Sequence, residues 1–163
     1  MPQRGYLSLM RRLFAWLFWA GWLAVALSAP AATGRVFKVL PQFLDHKDRN
    51  STSPSLYDRD AYQAYLRQHT NEISRMRFNV QWRTAGKPAG PVKLRVEMHG
   101  VVRGGSAEEL VLEKPVEPSG WFGCWTAMTL TREDFRRLGE VTAWRVTLWD
   151  NGQLLGEQRS FLW

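Results

Sequence analysis

The chain has 163 residues, of which 45% are hydrophobic, and its formal net charge is +7. This length has room for a single domain with one apolar core, and the lone cysteine, Cys124, excludes an intrachain disulfide. The basic residues form no clustered stripe of the kind that nucleic-acid-binding proteins usually carry, so the composition does not favour that class.

An uncharged apolar segment stands near the N-terminus. It covers residues 13–27 and follows three arginines, Arg4, Arg11 and Arg12. Small residues come next, and Ala29 and Ala31 stand in the A-x-A relation that a signal peptidase reads. We therefore predict a signal peptide over residues 1–31, cleaved after Ala31. The rest of the chain is then extracytoplasmic, either in the periplasm or secreted.

An uncleaved membrane anchor is the alternative for the same segment. Residues 13–32 have the length of a membrane-spanning helix, which needs about 20 apolar residues. The strongly apolar part ends at residue 27, however, and that shorter stretch favours cleavage. Removing residues 1–31 leaves 19 basic and 15 acidic residues, so the mature chain has a net charge of +4.

The pattern of residues 35–163 predicts one domain built mainly of strands. The first strand is predicted over residues 34–45, in which Pro41 marks an edge position or a break. After a polar loop, residues 57–68 predict a short inserted helix. Apolar residues recur there at spacings of three and four, as one helical face requires, namely at Tyr57, Ala61, Ala64 and Tyr65.

Two regular alternations follow the helix. Apolar residues occupy every second position of residues 75–83 and again of residues 92–99, which is typical of strands with one face on a core and one in water. The predicted core residues of the two strands are Met76, Phe78, Val80, Trp82, Val92, Leu94, Val96 and Met98.

Four more strands are predicted over residues 109–113, 121–131, 141–149 and 154–163. A capping-box pattern from Thr131 to Asp134 predicts one helical turn that ends at Gly139. Asn151 and Gly152 supply the two positive-φ residues of a type I′ hairpin. The elements add up to an all-β fold with one short inserted helix, arranged as an antiparallel sandwich of about seven strands.

This order of strands, turn-rich gaps and closing Asn-Gly hairpin resembles the immunoglobulin-like and fibronectin type III-like sandwiches common in exported bacterial proteins. The chain is also similar to small exported bacterial proteins to which no activity is assigned. The resemblance covers residues 35–163. It departs from those families at the inserted helix, and the two cysteines of antibody domains are replaced by the single Cys124. It implies a fold and almost nothing about chemistry.

The sequence contains no constellation typical of catalysis or metal binding. Its three histidines, His46, His69 and His99, lack the spacing of metal ligands. The acidic residues near Asp48 lack the glycine and distal glutamate of a calcium loop, and no nucleophile elbow is present. We therefore predict no catalytic residue, no metal and no cofactor.

Outward tryptophans and three basic residues are the remaining candidates for binding. Trp125 and Trp149 alternate onto the polar faces of their strands, where aromatic rings form stacking platforms for sugars or anchors in protein interfaces. Alternatively, these two tryptophans cover the flank of the inserted helix or a loop. If the third and sixth strands pair, Arg145 shares an outward face with two more cations and favours acidic partners. The complete set of predicted binding residues is Trp121, Trp125, Trp149, Lys93, Arg95 and Arg145.

These features predict a non-enzymatic exported interaction module whose partner is an unknown protein or a glycan. The alternative is a carbohydrate-binding module that uses the outward tryptophans. Neither hypothesis involves nucleic acid, and membrane contact is expected only if the N-terminal segment is retained as an anchor.

Overall fold

The computed structural model describes residues 32–163, except residues 103–104, 106 and 118–122. The predicted signal peptide and Trp121 therefore lie outside the described residues. The elements, in chain order, are β1 (Thr33–Asp45), α1 (Leu56–Gln68), β2 (Ile73–Ala85), β3 (Val92–Val101), β4 (Ala107–Val116), β5 (Cys124–Thr129), α2 (Arg132–Leu138), β6 (Glu140–Asp150) and β7 (Gln153–Arg159). A short 3-10 helix, Thr70–Glu72, joins α1 to β2.

The seven strands form two antiparallel sheets. One has three strands in the order β1-β2-β5, and the other has four in the order β4-β3-β6-β7. The predicted all-β class and the seven-stranded antiparallel sandwich are confirmed. Constant-type immunoglobulin domains place the fourth strand beside the fifth. Here β4 instead pairs with β3 from Ala107 to Val116, so the larger sheet contains it.

The core lies between the two sheets and is built by the predicted alternation of β2 and β3. All eight core residues predicted for these strands are buried. Burying one such side chain fully stabilises the fold by about 1.5–3 kcal/mol. The largest of them is Trp82, whose indole Nε1 donates a hydrogen bond to Thr126 Oγ1 at 2.9 Å. The polar edge of this buried ring is therefore satisfied within the core.

Pro41 occupies the predicted edge position, in a continuous strand at the edge of its sheet where it pairs opposite Phe78. β4 and β7 differ from their predicted bounds. β4 is longer than predicted and includes Pro115, which an edge strand tolerates because one row of its backbone groups has no neighbouring strand. β7 ends at Arg159 rather than at Trp163.

The inserted helix is present, but the apolar face predicted for it is wrong. Tyr57 is 81% exposed, whereas Gln63 and Leu66 are buried. The hydrogen bonds of the Gln63 amide explain why this face of the helix is buried. Its Oε1 accepts from the Phe43 backbone N at 2.8 Å, and its Nε2 donates to the Phe43 carbonyl O at 3.0 Å. A buried glutamine thus satisfies backbone groups of edge strand β1, which apolar periodicity does not reveal.

Local turn and cap predictions are confirmed. Asn151 and Gly152 have φ values of 45° and 87°, as a type I′ hairpin requires. Thr131 Oγ1 accepts from the Asp134 backbone N at 3.0 Å and caps α2, which ends before Gly139. These short-range signals depend on adjacent residues only, so the sequence alone determines them.

A buried carboxylate anchors the loop between β1 and α1. Asp45 Oδ1 accepts hydrogen bonds from the backbone N atoms of Lys47 and Arg49 at 2.8 and 2.9 Å. Its Oδ2 accepts from Arg49 Nε at 2.9 Å and from the Tyr62 hydroxyl at 2.8 Å. Burial raises the pKa of Asp45, but these hydrogen bonds outweigh that effect and lower the pKa from 3.8 to about 2.

Replacing Asp45 with asparagine is expected to make the fold less stable at neutral pH and to reduce its sensitivity to acid. Because the native carboxyl has the lower pKa, the unfolded chain binds more protons between pH 4 and pH 2. The stabilisation of about 2 kcal/mol is therefore complete above pH 4 and is lost as the pH falls towards 2.

Urea denaturation at several pH values between 7 and 3 measures this effect for wild type and Asp45→Asn. The difference in unfolding free energy between them should shrink as the pH falls. Asp60→Asn is the control, because the Asp60 side chain is 72% exposed and, among the described residues, pairs only with the neighbouring Arg59. A difference that stays constant with pH would contradict the assigned role of Asp45.

Candidate functional site: the two outer sheet faces

The outer face of the four-stranded sheet carries most of the predicted binding residues. β3 and β6 pair as predicted, so Lys93 lies opposite Trp149 and Glu97 lies opposite Arg145. On the other side of β3, Arg95 lies opposite Glu113 of β4. The pairing therefore brings Lys93, Arg95 and Arg145 onto one surface and places acidic residues among them.

Ion pairs join these residues into one network, which we call the paired face: Lys93, Arg95, Glu97, Glu113 and Arg145. Arg145 Nε lies 2.6 Å from Glu97 Oε2, and Lys93 Nζ lies 2.9 Å from Glu113 Oε2. Arg95 Nε lies 3.4 Å from a Glu97 oxygen and 3.6 Å from a Glu113 oxygen. Hydrogen bonding by Lys93 lowers the pKa of Glu113, and hydrogen bonding to Glu97 raises the pKa of Arg145.

The paired face therefore differs electrostatically from the predicted basic surface. Two glutamates neutralise most of the charge of the three cations, which weakens their attraction for an acidic partner. The sequence analysis identified the three cations but did not identify Glu97 and Glu113 as their partners. Glu113 reaches them only through the pairing of β3 with β4.

A shallow groove of about 380 Å³ runs beside the paired face. The residues that line it are Pro91, Lys93, Arg95, Glu113, Trp149, Asn151 and Gly152. Trp149 is half-buried, and its Nε1 donates to Thr147 Oγ1 at 2.8 Å. Asp150, the next residue, accepts from the backbone N atoms of Ala89 and Gly90 at 2.7 and 2.8 Å. Trp149 is therefore held within the fold and presents only part of its ring.

The outer face of the three-stranded sheet carries Trp125, which is 54% exposed. Gln81 of β2 pairs with Trp125 on one side and with Lys38 of β1 on the other. Beyond an irregularity in the register between Val36 and Lys38, the next outward-facing pair of these strands is Arg35 opposite Arg83. Cations and aromatic rings thus share the exposed surface.

Phe37 occupies that irregularity and is 39% exposed. A β-bulge re-aims side chains, and here the Phe37 ring lies beneath two guanidinium groups. The guanidinium carbons of Arg35 and Arg83 lie 5.3 and 5.4 Å from the centroid of the Phe37 ring. These distances are within the range of cation–π attraction. We call Arg35, Phe37, Lys38, Arg83 and Trp125 the basic face.

The basic face differs from the paired face in having no acidic residues. In β1, β2 and β5 the one acidic residue is Asp45, at the far end of β1 and bonded to Arg49. Within the described part of the chain, no carboxylate forms an ion pair with Arg35, Lys38 or Arg83. The charge of these cations is therefore not neutralised locally.

The two predicted tryptophans that the structure describes lie on opposite outer faces of the sandwich. Trp125 belongs to the three-stranded sheet and Trp149 to the four-stranded sheet, so the two rings do not form one stacking platform. The sequence analysis missed Arg35, Phe37 and Lys38. The alternation of β2 already placed Arg83 and Gln81 on an outward face, but their neighbours depend on the register with β1.

Among the residues that the structure describes, no group of three or more His, Cys, Asp or Glu side chains is placed to hold a metal ion. Within the same residues, no helix has both the length and the apolarity needed to cross a membrane.

Comparisons of the chain with known protein families, with curated proteins and with solved structures find no match.

Proposed function

We propose that the chain is an exported, non-enzymatic interaction module that binds an acidic partner through its basic face. The observation that carries this proposal is the exposed set of Arg35, Lys38 and Arg83, which have no carboxylate partner among the described residues. Like charges placed opposite each other destabilise a sheet, and Arg35 lies opposite Arg83. An anionic partner relieves that repulsion.

The rest of the molecule supports binding rather than catalysis. The exposed rings of Phe37 and Trp125 offer anchoring area beside the cations, and aromatic and arginine side chains dominate the energetics of many interfaces. The sequence has the A-x-A pattern of an exported protein and no nucleophile motif. The charge asymmetry also indicates which face the partner meets, since the cations of the paired face are already bound to Glu97 and Glu113.

Two triple variants with equal charge change test the proposal. Arg35→Ser/Lys38→Ser/Arg83→Ser removes three cations from the basic face, and Lys93→Ser/Arg95→Ser/Arg145→Ser removes three from the paired face. Binding of the mature chain to three anionic ligands is measured at several salt concentrations. The ligands are polyglutamate, polygalacturonate and vesicles that contain phosphatidylglycerol.

We expect wild type to bind at least one of the three ligands. The basic-face variant should lose about tenfold or more in affinity, because each cation at an anionic surface contributes about 1 kcal/mol. The paired-face variant should lose much less, and only wild type and the paired-face variant should keep a steep salt dependence. Equal losses of affinity in both variants, or no binding of wild type to any of the three ligands, would overturn the proposal.

A further inference from the structure

We infer that the basic face is a binding site for an acidic polysaccharide, with a sugar ring on Trp125 and a carboxylate between Arg35 and Arg83. This inference rests on the proposed function and names the chemical class of its partner. It uses two neighbouring parts of the face, which the register of the three-stranded sheet places side by side.

The first part is a row of side chains across the sheet that suits a sugar ring. Trp125, Gln81 and Lys38 stand opposite one another on β5, β2 and β1. The indole offers an apolar face to the C–H groups of a pyranose, and Trp125 is the more exposed of the two described outward tryptophans. The Gln81 amide both donates and accepts hydrogen bonds, as sugar hydroxyls require.

The second part is a pair of arginines that suits a carboxylate. Arg35 and Arg83 are directly opposed, and both guanidinium groups lie over the ring of Phe37. The attraction of both guanidinium groups to this ring offsets the repulsion between their like charges. Arginine forks bind carboxylates through two parallel hydrogen bonds, which an ammonium group does not reproduce.

The spacing of the two parts fits one chain of sugars. Arg83 and Gln81 are two positions apart on the same face of β2, which corresponds to about 7 Å. One polymer can therefore stack a sugar ring on Trp125 in the Gln81 row and place a carboxylate at Arg83. No separate ligand is needed to occupy both parts.

A polysaccharide fits the face better than a membrane does. Membrane insertion requires contiguous apolar surface, but Gln81 and Lys38 separate Trp125 from Phe37. The cations lie among the aromatic rings rather than around a protruding apolar edge. Polyglutamate can use the cations but has no ring to stack on Trp125, so that side chain distinguishes binding of polyglutamate from binding of a polysaccharide.

Binding of the full mature chain to polygalacturonate oligomers tests this inference, with the methyl-esterified oligomers as the uncharged ligand of the same backbone. The variants are Trp125→Ala, Arg35→Ser/Arg83→Ser and, as a matched tryptophan control, Trp149→Ala. Dissociation constants come from titration calorimetry at low salt. Urea denaturation midpoints show whether each variant keeps its fold.

Wild type should bind the acidic oligomers and not the esterified ones. Trp125→Ala should weaken binding by roughly tenfold through the loss of stacking, the double arginine variant should abolish it, and Trp149→Ala should leave it within about twofold because it alters only the opposite sheet. Rescue by Trp125→Tyr, which restores an aromatic ring, would support stacking rather than a structural role.

Two results would overturn the inference and leave the proposed function standing. One is binding of polyglutamate or phosphatidylglycerol vesicles through the basic face with no binding of polygalacturonate. The other is binding of polygalacturonate that Trp125→Ala does not change. Equal losses in the two triple variants would overturn the proposed function as well.

Discussion

Replacing Trp82 with alanine is expected to lower the free energy of unfolding by about 3–5 kcal/mol. The Trp82 side chain is 1% exposed and belongs to the core cluster between the two sheets. Truncation leaves a large cavity and also leaves Thr126 Oγ1 without the indole donor at 2.9 Å. A single domain of this size has a total stability of about 5–15 kcal/mol, so the variant is close to unfolding.

Trp125→Ala is the matched control for this effect. Trp125 lies on the neighbouring strand β5 with its ring on the outer face, and it is 54% exposed. Its loss should cost less than about 1 kcal/mol, because little buried contact disappears. Urea denaturation followed by far-ultraviolet circular dichroism measures both variants. Comparable losses in the two would mean that the outer face of β5 is more deeply packed than the structure indicates.

Trp82→Phe separates the two contributions to the larger effect. Phenylalanine keeps most of the apolar area but has no donor for Thr126. We expect a loss between those of Trp125→Ala and Trp82→Ala, and a second substitution, Thr126→Val, should then cost less in the Phe background than in wild type. Additive costs would show that the hydrogen bond contributes nothing to stability.

The same alternation that makes Trp82 a core residue explains why the fold was predictable from the sequence. Side chains of a strand alternate between two faces, so a period of two in β2 and β3 identifies their buried residues without knowledge of the partner strands. Asn151-Gly152 fixes a hairpin from two residues alone. Gln63 shows the limit of this reasoning, because its burial depends on backbone groups of Phe43, 20 positions away in the chain.

The candidate site depended on register, which no periodicity in the sequence specifies. Lys93, Arg95 and Arg145 were predicted to share a face, and they do, but β4 brings Glu113 among them. The composition of the basic face also depends on register, because it requires that no carboxylate lies beside the cations. Whether Arg35 meets a carboxylate or Arg83 depends on the pairing of β1 with β2 and on the irregularity at Phe37. The sequence therefore predicts which residues face outward more readily than it predicts which residues lie beside them on the sheet.

Charge separation between the two faces has a consequence for association. A cluster of unneutralised cations on one face draws that face towards an anionic polymer, and the attraction weakens as salt rises. The mature chain predicted from the sequence has a net charge of only +4. The pairing of Lys93, Arg95 and Arg145 with glutamates therefore matters more for recognition than the total charge does.

The second large effect is expected at the junction of α2 and β6. Gly139 has a φ of 72°, and a Cβ at this position would lie 2.5 Å from the Val101 carbonyl O and 2.9 Å from the Val102 Cα. These neighbours are backbone atoms of β3 and the residue after it, so no side chain can rotate away. Backbone strain of about 1–2 kcal/mol and a steric cost of about 1–3 kcal/mol act together. Gly139→Ala should therefore destabilise the fold by about 3 kcal/mol.

Gly152→Ala isolates the backbone contribution. Gly152 has a φ of 87°, but nothing lies within 4 Å of the position that its Cβ would occupy. This variant carries the conformational strain alone, so it should cost about 1–2 kcal/mol. Unfolding free energies of the two alanine variants, measured by urea denaturation, should differ by the steric cost at Val101. If Gly139→Ala costs no more than Gly152→Ala, then β3 yields at Val101, and the close packing of α2 and β6 against its end does not limit stability.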